Sequence, residues 1–483
     1  MKTKNISINS IALVLLFTCC LTSCDDFLDV KPKSQIESTE LFGSEAGFKD
    51  ALNGVYIKLT SSSLYGQELK YGTLDILGKL YYSVGSGNYS YINSGSYNNS
   101  GAAGIGNAIW SNAYNAIASL NALMAEMENA DPKMFAQDNY NVIKGEALGL
   151  RAFLHFDLLR LFAPSYLVGP DEPAIPYVTE YTYTVTPSST VSQILEKVIA
   201  ELEQAASLLK TSDPIATGRA ITSDDDDGYL LDRVFHFNYY AAVAALAEAY
   251  LWKNDYTNAA RCANEVINSG KFSWTPVDNI ATNEADRDRT FIPEQIFALQ
   301  IDNLDDYVLG RVYGTMQYNV TFKFYSTGLT TMFPTATNAT DWRRTYFFSN
   351  ENCGGSYYYT STKLWQEGMT TSKVKRMPMF RLPEMYLILA ECDVPHSAQY
   401  VEEVSNHRGN NIKITSTDEG ALNDAITMEY VREFMHEGKL FFRYKRINSP
   451  QMFTGYYFRK ANYNTASYVL PLPNEEKQFG NRE

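Results

Sequence analysis

Residues Phe237 to Lys271, FNYYAAVAALAEAYLWKNDYTNAARCANEVINSGK, constrain the fold more than any other stretch. In the first half, Tyr240, Val243, Ala244, Ala247, Tyr250 and Leu251 recur at i, i+3, i+4 and i+7, the period of one helix face. Asn254-Asp255 breaks that period. Ala259, Cys262, Ala263, Val266 and Ile267 then line one face of a second helix. Ala247 and Ala259 are small enough to let the two backbones approach where the helices cross. One helical hairpin cannot bury its apolar face alone, so the chain must supply further helix pairs on either side.

Within the hairpin, Ala247, Tyr250, Tyr256, Ala259 and Ala263 fall at the spacing of a tetratricopeptide (TPR) repeat. Other helical periods lie along the chain. Glu45 to Leu59 turns Phe48, Ala51, Leu52, Val55 and Leu59 inward; Ile109 to Met127 and Ile143 to Phe162 are longer, and Pro164 ends the latter. Val191 to Leu209, Leu382 to Ala390, Ser397 to Asn406 and Ile426 to Met435 complete the set. Between them, Ser61 to Gly106 is rich in Ser, Gly, Asn and Tyr and reads mostly as loop. Lys271 to Phe380 has little helical period but holds short apolar runs such as Ile296 to Ile301, and Asn448 to Glu483 reads as loop. The pattern is a helical scaffold with two long irregular insertions.

The first residues are an address. Lys2 and Lys4 precede an apolar run from Ile11 to Cys20, too short for an ordinary span, and Leu21-Thr22-Ser23-Cys24 follows. This pattern resembles a bacterial lipobox, which makes residues 1–23 a removable signal and Cys24 an acylated first residue. Asp25 to Ser38 then reads as an acidic tether. The chain carries a formal charge of −14, and loss of the signal removes two lysines and no acid. The remainder has 39 basic residues against 55 acidic ones, with no basic excess to displace phosphate counterions, which argues against nucleic acid as a partner. Cys262 lies on a core face, which argues against a disulfide framework.

Several segments together resemble the SusD/RagB family of surface lipoproteins in Bacteroidetes nutrient-uptake systems. They are Cys24 to Asp29 with Pro32, Phe42 to Leu59, Trp110 with Tyr114, Ile117 and Asn121, Gly145 to Phe153, the hairpin, Asp341 to Arg344, Phe380 to Glu391, and Glu433 to Arg446. The resemblance implies a mainly α fold, a TPR-like scaffold of about four helix pairs against a large irregular, loop-rich half. It implies a lipoprotein signal over 1–23, a tether over 24–40, and one body over 41–483. An N-terminal family part would cover about 24–220 and a C-terminal part about 285–483, with the hairpin 237–271 between. It also implies a partner, a SusC-like TonB-dependent outer-membrane transporter, and a lipid-anchored site on the outer membrane facing the exterior. Glu437 to Arg443 departs from the family's Glu-Gly-x-Arg-x-Phe-Asp, and the Asn-x-x-Arg-x-Arg helix is only loosely echoed by Glu402 to Arg408. These departures put local salt bridges in question, not the fold.

For binding, tyrosines 81, 82, 89, 91 and 97 alternate with Ser, Gly and Asn, including Asn93. Such residues suit a sugar: ring C–H groups lie on an aromatic face and hydroxyls are bonded at the edge. Asp75 lies near where the family often places a ligand-binding acid. A second aromatic group, Tyr307, Tyr313, Tyr318 and Trp342, sits in the later insertion, where it could face the first across a shallow site, an arrangement that sequence does not show. The expected ligand-binding set is Asp75, Tyr81, Tyr82, Tyr89, Tyr91, Asn93, Tyr313 and Trp342, with an oligosaccharide as ligand and a peptide as the alternative within the family. No catalytic residue, cofactor or metal is expected. The five histidines, at 155, 236, 396, 407 and 436, form no zinc motif. Asp224 to Asp227 lacks the alternating ligands and turn glycine of a calcium loop and reads as a solvated linker. A lipid-anchored helical glycoside hydrolase stays open, because two carboxylates suffice for that chemistry. So does a TPR scaffold that binds only proteins.

Overall fold

The computed structural model describes residues 38–221, 228–313, 320–334, 341–353, 356–455 and 457–480. Residues 1–37 with Cys24 and most of the tether, the Asp224–Asp227 linker, and Tyr318 lie outside the described residues.

The organising hairpin forms as Tyr239–Trp252 and Tyr256–Asn268. The Asn238 side chain caps the first helix by accepting from the Ala241 N–H, and Asp255 caps the second through Asn258. Asn254 makes the turn at φ 62°, a left-handed conformation that Asn tolerates better than most residues. The second helix is one-sided as its sequence implies, burying Ala259, Cys262, Ala263 and Val266. The first is not: all fourteen of its residues are buried. It packs against its partner, against Val191–Ser212, against Leu382–Cys392 and against the strand Gln295–Gln300. Six alanines, at 241, 242, 244, 245, 247 and 249, make that four-sided approach sterically possible.

Four stacked pairs make the scaffold. Glu45–Leu59 packs on Ser100–Asn129, and Asn139–Phe162 on Val191–Ser212; the hairpin follows, then Leu382–Cys392 with Ser397–Asn406. Glu419–Glu433 closes the row against the last pair. In the second pair, Gly145 and Gly149 let neighbours reach the helix backbone. A Cβ at Gly149 would stand 2.3 Å from the Phe237 ring, and one at Gly145 2.6 Å from Leu209. Cys262 and Cys392 are free thiols. Among the described residues, strands occur only as two-stranded antiparallel pairs, and no helix is long and apolar enough to cross a membrane.

Two loop expectations need correction. Ser61 to Gly106 is compact and partly helical: residues 64–78 are buried, Thr73–Leu77 and Asn88–Ser94 are short helices, and the long helix starts at Ser100 rather than Ile109. Asn99 caps it by accepting from the Gly101 N–H at 2.9 Å. Gly, Ser and Asn are poor helix formers, so that first turn carries no periodic signal and is held by its cap and its packing. The last stretch likewise contains a hairpin, Gln451–Thr454 with Arg459–Asn462, and a short helix, Asn474–Phe479.

The scaffold joins the irregular half through buried charge. Arg381 pairs with Glu294, Glu433 and Glu437, Arg408 with Glu294 and Glu433, and Arg343 with Asp341, Glu429 and Glu433. Lys363 and Arg432 add pairs to Glu437 and Glu429. The departure from the family pattern at Glu437 to Arg443 therefore does not leave this region without salt bridges. Lys439 pairs with Glu248 and Glu384, and Arg443 with Glu391.

Candidate functional site: an exposed tyrosine platform

Three short segments lie side by side in the irregular half. The Tyr82 N–H donates to the Lys323 carbonyl at 2.8 Å, and the Lys323 N–H to the Ser83 carbonyl at 3.0 Å. Phe324 and Tyr359 exchange backbone hydrogen bonds at 2.9 and 3.0 Å. Tyr359 belongs to Ser356–Ser361, which pairs in antiparallel register with Phe348–Cys353. In extended chain, alternate side chains take opposite faces. Phe322 and Phe324 therefore enter the core, while Lys323 and Tyr325 lie half-buried on the other face.

Tyr82, Tyr325 and Tyr358 come together on that surface. Their ring centroids lie 5.4 Å apart for Tyr82–Tyr325, 6.4 Å for Tyr82–Tyr358 and 6.1 Å for Tyr325–Tyr358. Tyr82 is 41% exposed, and Tyr325 and Tyr358 are half-buried. The Lys323 ammonium sits 4.8 Å from the Tyr358 centroid, a cation–π distance, and Glu351 lies across the ladder from Tyr358. The patch thus offers flat apolar faces, phenol hydroxyls, one cation and one carboxylate on a paired backbone.

The layer beneath is rigid. The Tyr81 ring stacks 4.7 Å from Phe322 at an interplanar angle of 12°, and its hydroxyl donates to the Tyr71 carbonyl at 2.7 Å. His436 Nδ1 lies 3.0 Å from the Tyr81 hydroxyl oxygen. Burial drives the Tyr81 phenol well above its ordinary pKa, so it stays protonated. Asp75 accepts from the backbone N–H groups of His436 at 2.8 Å and Gly438 at 3.2 Å, where both residues have positive φ. Burial raises the Asp75 pKa, and those hydrogen bonds together with the imidazole oppose the rise.

These contacts correct part of the expected set. Asp75 is 1% exposed and holds the 436–438 turn, and Tyr81 is buried as the floor beneath Tyr82. Tyr313 is buried too, stacked on Trp365 at 4.7 Å with its hydroxyl donating to Asp305 at 2.6 Å. Trp342 is half-buried against the Ile280, Phe291 and Phe347 cluster, close to Gly409. Tyr313 and Trp342 are therefore embedded rather than facing the first group. Tyr89 is half-buried, with its hydroxyl donating to Glu68 at 2.7 Å. Tyr91 is 40% exposed on the Asn88–Ser94 helix, and the Asn93 side chain accepts from Lys79 at 3.1 Å. Of the expected residues, only Tyr82 joins the platform. Lys323, Tyr325 and Tyr358 were not anticipated. The run Tyr357-Tyr358-Tyr359 was their available signal, because a hairpin cannot bury both faces of three consecutive rings.

The comparisons agree with this architecture. Residues 26–251 match a family described as starch-binding and associating with the outer membrane, and residues 310–471 match the SusD family. SusD-like protein P2 of Formosa agariphila is 27% identical over 269 residues, 53% of this chain; the match spans 45% of that relative's length. A SusD-like carbohydrate binding protein from Bacteroides vulgatus superposes with a TM-score of 0.70 at 18% identity, over 91% of this chain and 97% of the other. A SusD superfamily protein from Bacteroides fragilis gives 0.68 at 21% identity, over 91% and 98%. The two family matches cover both the helical scaffold and the irregular half, and the order of helix pairs agrees with them: the chain belongs to the SusD/RagB family, a family of binding proteins rather than enzymes.

Proposed function

We propose that this chain captures an oligosaccharide on the Tyr82–Tyr325–Tyr358 platform, while anchored to the outer membrane, and delivers it to a partner TonB-dependent transporter. The observation that carries the ligand half is the tyrosine trio on a paired, tightly packed backbone, with Tyr82 exposed and Tyr325 and Tyr358 half-buried beside it. Tyrosine gives a large amphipathic contact at low entropy cost, and each stacked ring contributes roughly 0.5–1.5 kcal/mol. A few such contacts give micromolar to millimolar affinity, which suits a protein that must pass its ligand on.

The family description as starch-binding and outer-membrane-associating supports the glycan and the location. Against hydrolysis, Asp75 and His436, an acid and an imidazole next to the platform, are both sealed beneath it. Titration of a glycan panel with simultaneous assay for reducing ends tests this reading. Binding without new ends is the expected result; ends accumulating with time, or no glycan bound, would overturn it.

The membrane half rests on the lipobox-like sequence ending at Cys24, with 24–40 as tether and 41–483 as the body. Cys24→Ala is expected to release the protein from the outer-membrane fraction or to mislocalise it. Unchanged retention after that substitution would remove the lipid anchor from the account.

A further inference from the structure

A second cleft, of about 510 Å3, lies where Glu45–Leu59 meets the end of the strand Gln295–Gln300 and the turn at Phe235. Its volume falls within the rough 300–1,000 Å3 range of small-molecule sites. Asn53, Ile57, Phe235, Gln300, Asp302 and Asn303 supply its chemistry. Ile57 is 72% exposed and borders this cleft. Phe235 adds an aromatic wall, braced by the Arg376 guanidinium 4.3 Å from its ring centroid. The exposed amides of Asn53 and Asn303 make no hydrogen bond to other described residues.

The charge balance narrows the ligand. Among the described residues, no lysine or arginine lines the cleft. Its carboxylate, Asp302, is balanced by Lys375 at 3.1 Å, and His236 lies 3.3 Å from buried Glu146. Arg376 lies behind the Phe235 ring, bonded to the Gln295 side chain rather than lining the cleft, so the lining itself offers an anionic ligand no unpaired cation. A side-chain amide both donates and accepts, and a carboxylate accepts, which together match neighbouring hydroxyls on one ring. Phe235 and Ile57 offer the apolar surface that the C–H face of such a ring needs. We infer that this cleft is a second binding site, for a neutral sugar unit, separate from the tyrosine platform.

The inference does not depend on the platform, and one experiment separates the two. Saturation-transfer NMR on the full-length protein in detergent would use glucose, galactose, mannose and xylose as neutral probes, with galacturonate as the acidic one. At least one neutral sugar is expected to bind to wild type and still to bind after Tyr82→Ala with Tyr358→Ala. The exposed pair Asn53→Leu and Asn303→Leu is expected to weaken that residual binding at least tenfold with the thermal midpoint unchanged. Phe235→Ala gives a second test of the same wall. The inference fails if no neutral sugar binds, if removing the platform removes all binding, if both cleft variants bind like the platform variant alone, or if galacturonate is preferred. Loss in the cleft variants with no effect of the platform variant would sustain the cleft and remove the platform.

Discussion

Glu433→Ala is expected to cost about 3–5 kcal/mol of stability, the range for removing one partner from a buried ion pair. Glu433 is fully buried and serves three guanidiniums. Its Oε1 accepts from Arg381 at 2.6 Å and Arg408 at 2.7 Å, and its Oε2 from Arg343 and Arg408, both at 2.8 Å. The arginines draw the Glu433 pKa well down against the desolvation that would raise it. The charges around it balance: Arg343, Arg381, Arg408, Arg432 and Lys363 face Asp341, Glu294, Glu429, Glu433 and Glu437. Deleting one carboxylate leaves a net positive charge with no water to solvate it. Asp302→Ala is the control. Its bridge to Lys375 is exposed, and such pairs contribute about 0–1 kcal/mol. Urea unfolding reads the difference. Equal midpoints for wild type and Glu433→Ala would show that the cluster does not hold the two halves together.

A second large effect is expected with acid. His155 is buried, its Nδ1 donates to the Arg151 carbonyl at 2.9 Å, and its Nε2 accepts from the Val178 N–H at 3.0 Å. A proton on Nε2 would break the second bond and place a charge in the core. Burial pulls the pKa down to about 3. The unfolded chain takes that proton at about pH 6.5. The folded value lies below the unfolded one, so the contribution is complete above about 6.5 and is lost as pH falls towards 3. The loss is about 1.4 kcal/mol per pH unit, or roughly 2 kcal/mol by pH 5. His436 is shifted the same way by burial and adds to the slope, whereas buried Asp75 and Glu384, raised by desolvation, oppose it. The carboxylates lowered by arginine, Glu433 and Glu437, add their loss only below about pH 4.3. In His155→Gln an amide can make both hydrogen bonds without titrating, so the fall in thermal midpoint between pH 6.5 and 5 is expected to flatten. An unchanged slope would assign the acid sensitivity elsewhere.

The scaffold was legible where local pattern and tertiary packing agree. Glu45–Leu59 and Ser397–Asn406 match their apolar periods end to end, and the turn at Asn254-Asp255 lies where the hairpin sequence breaks. Pattern failed in two ways. Tyr239–Trp252 is buried on every side, and periodicity sees only the stronger face of such a helix. Ser100 onward is helical despite its glycines, because its cap and packing outweigh propensity.

The site was half legible for a related reason. Residue type marked Tyr81 to Tyr97 as aromatic and polar, but exposure depends on strand register, which sequence spacing alone does not give. Tyr81 and Tyr82 are neighbours, yet one is the floor and the other the surface. Tyr325 and Tyr358 reach Tyr82 only through the backbone bonds of Lys323 to Ser83 and of Phe324 to Tyr359, each bridging a long sequence separation. Asp75 fell in a suggestive place, but its two N–H partners come from the far end of the chain.

The most direct test of the glycan-binding account is a calorimetric titration with the panel glycan that binds best, on wild type and on the Tyr82→Ala, Tyr358→Ala double variant. Tyr82 is exposed and Tyr358 only half-buried, so the thermal midpoint is expected to hold. Affinity is expected to fall at least about tenfold, or ~1.4 kcal/mol, as two stacking faces are lost. Equal affinities with an intact fold would contradict the account and leave the tyrosines as surface packing.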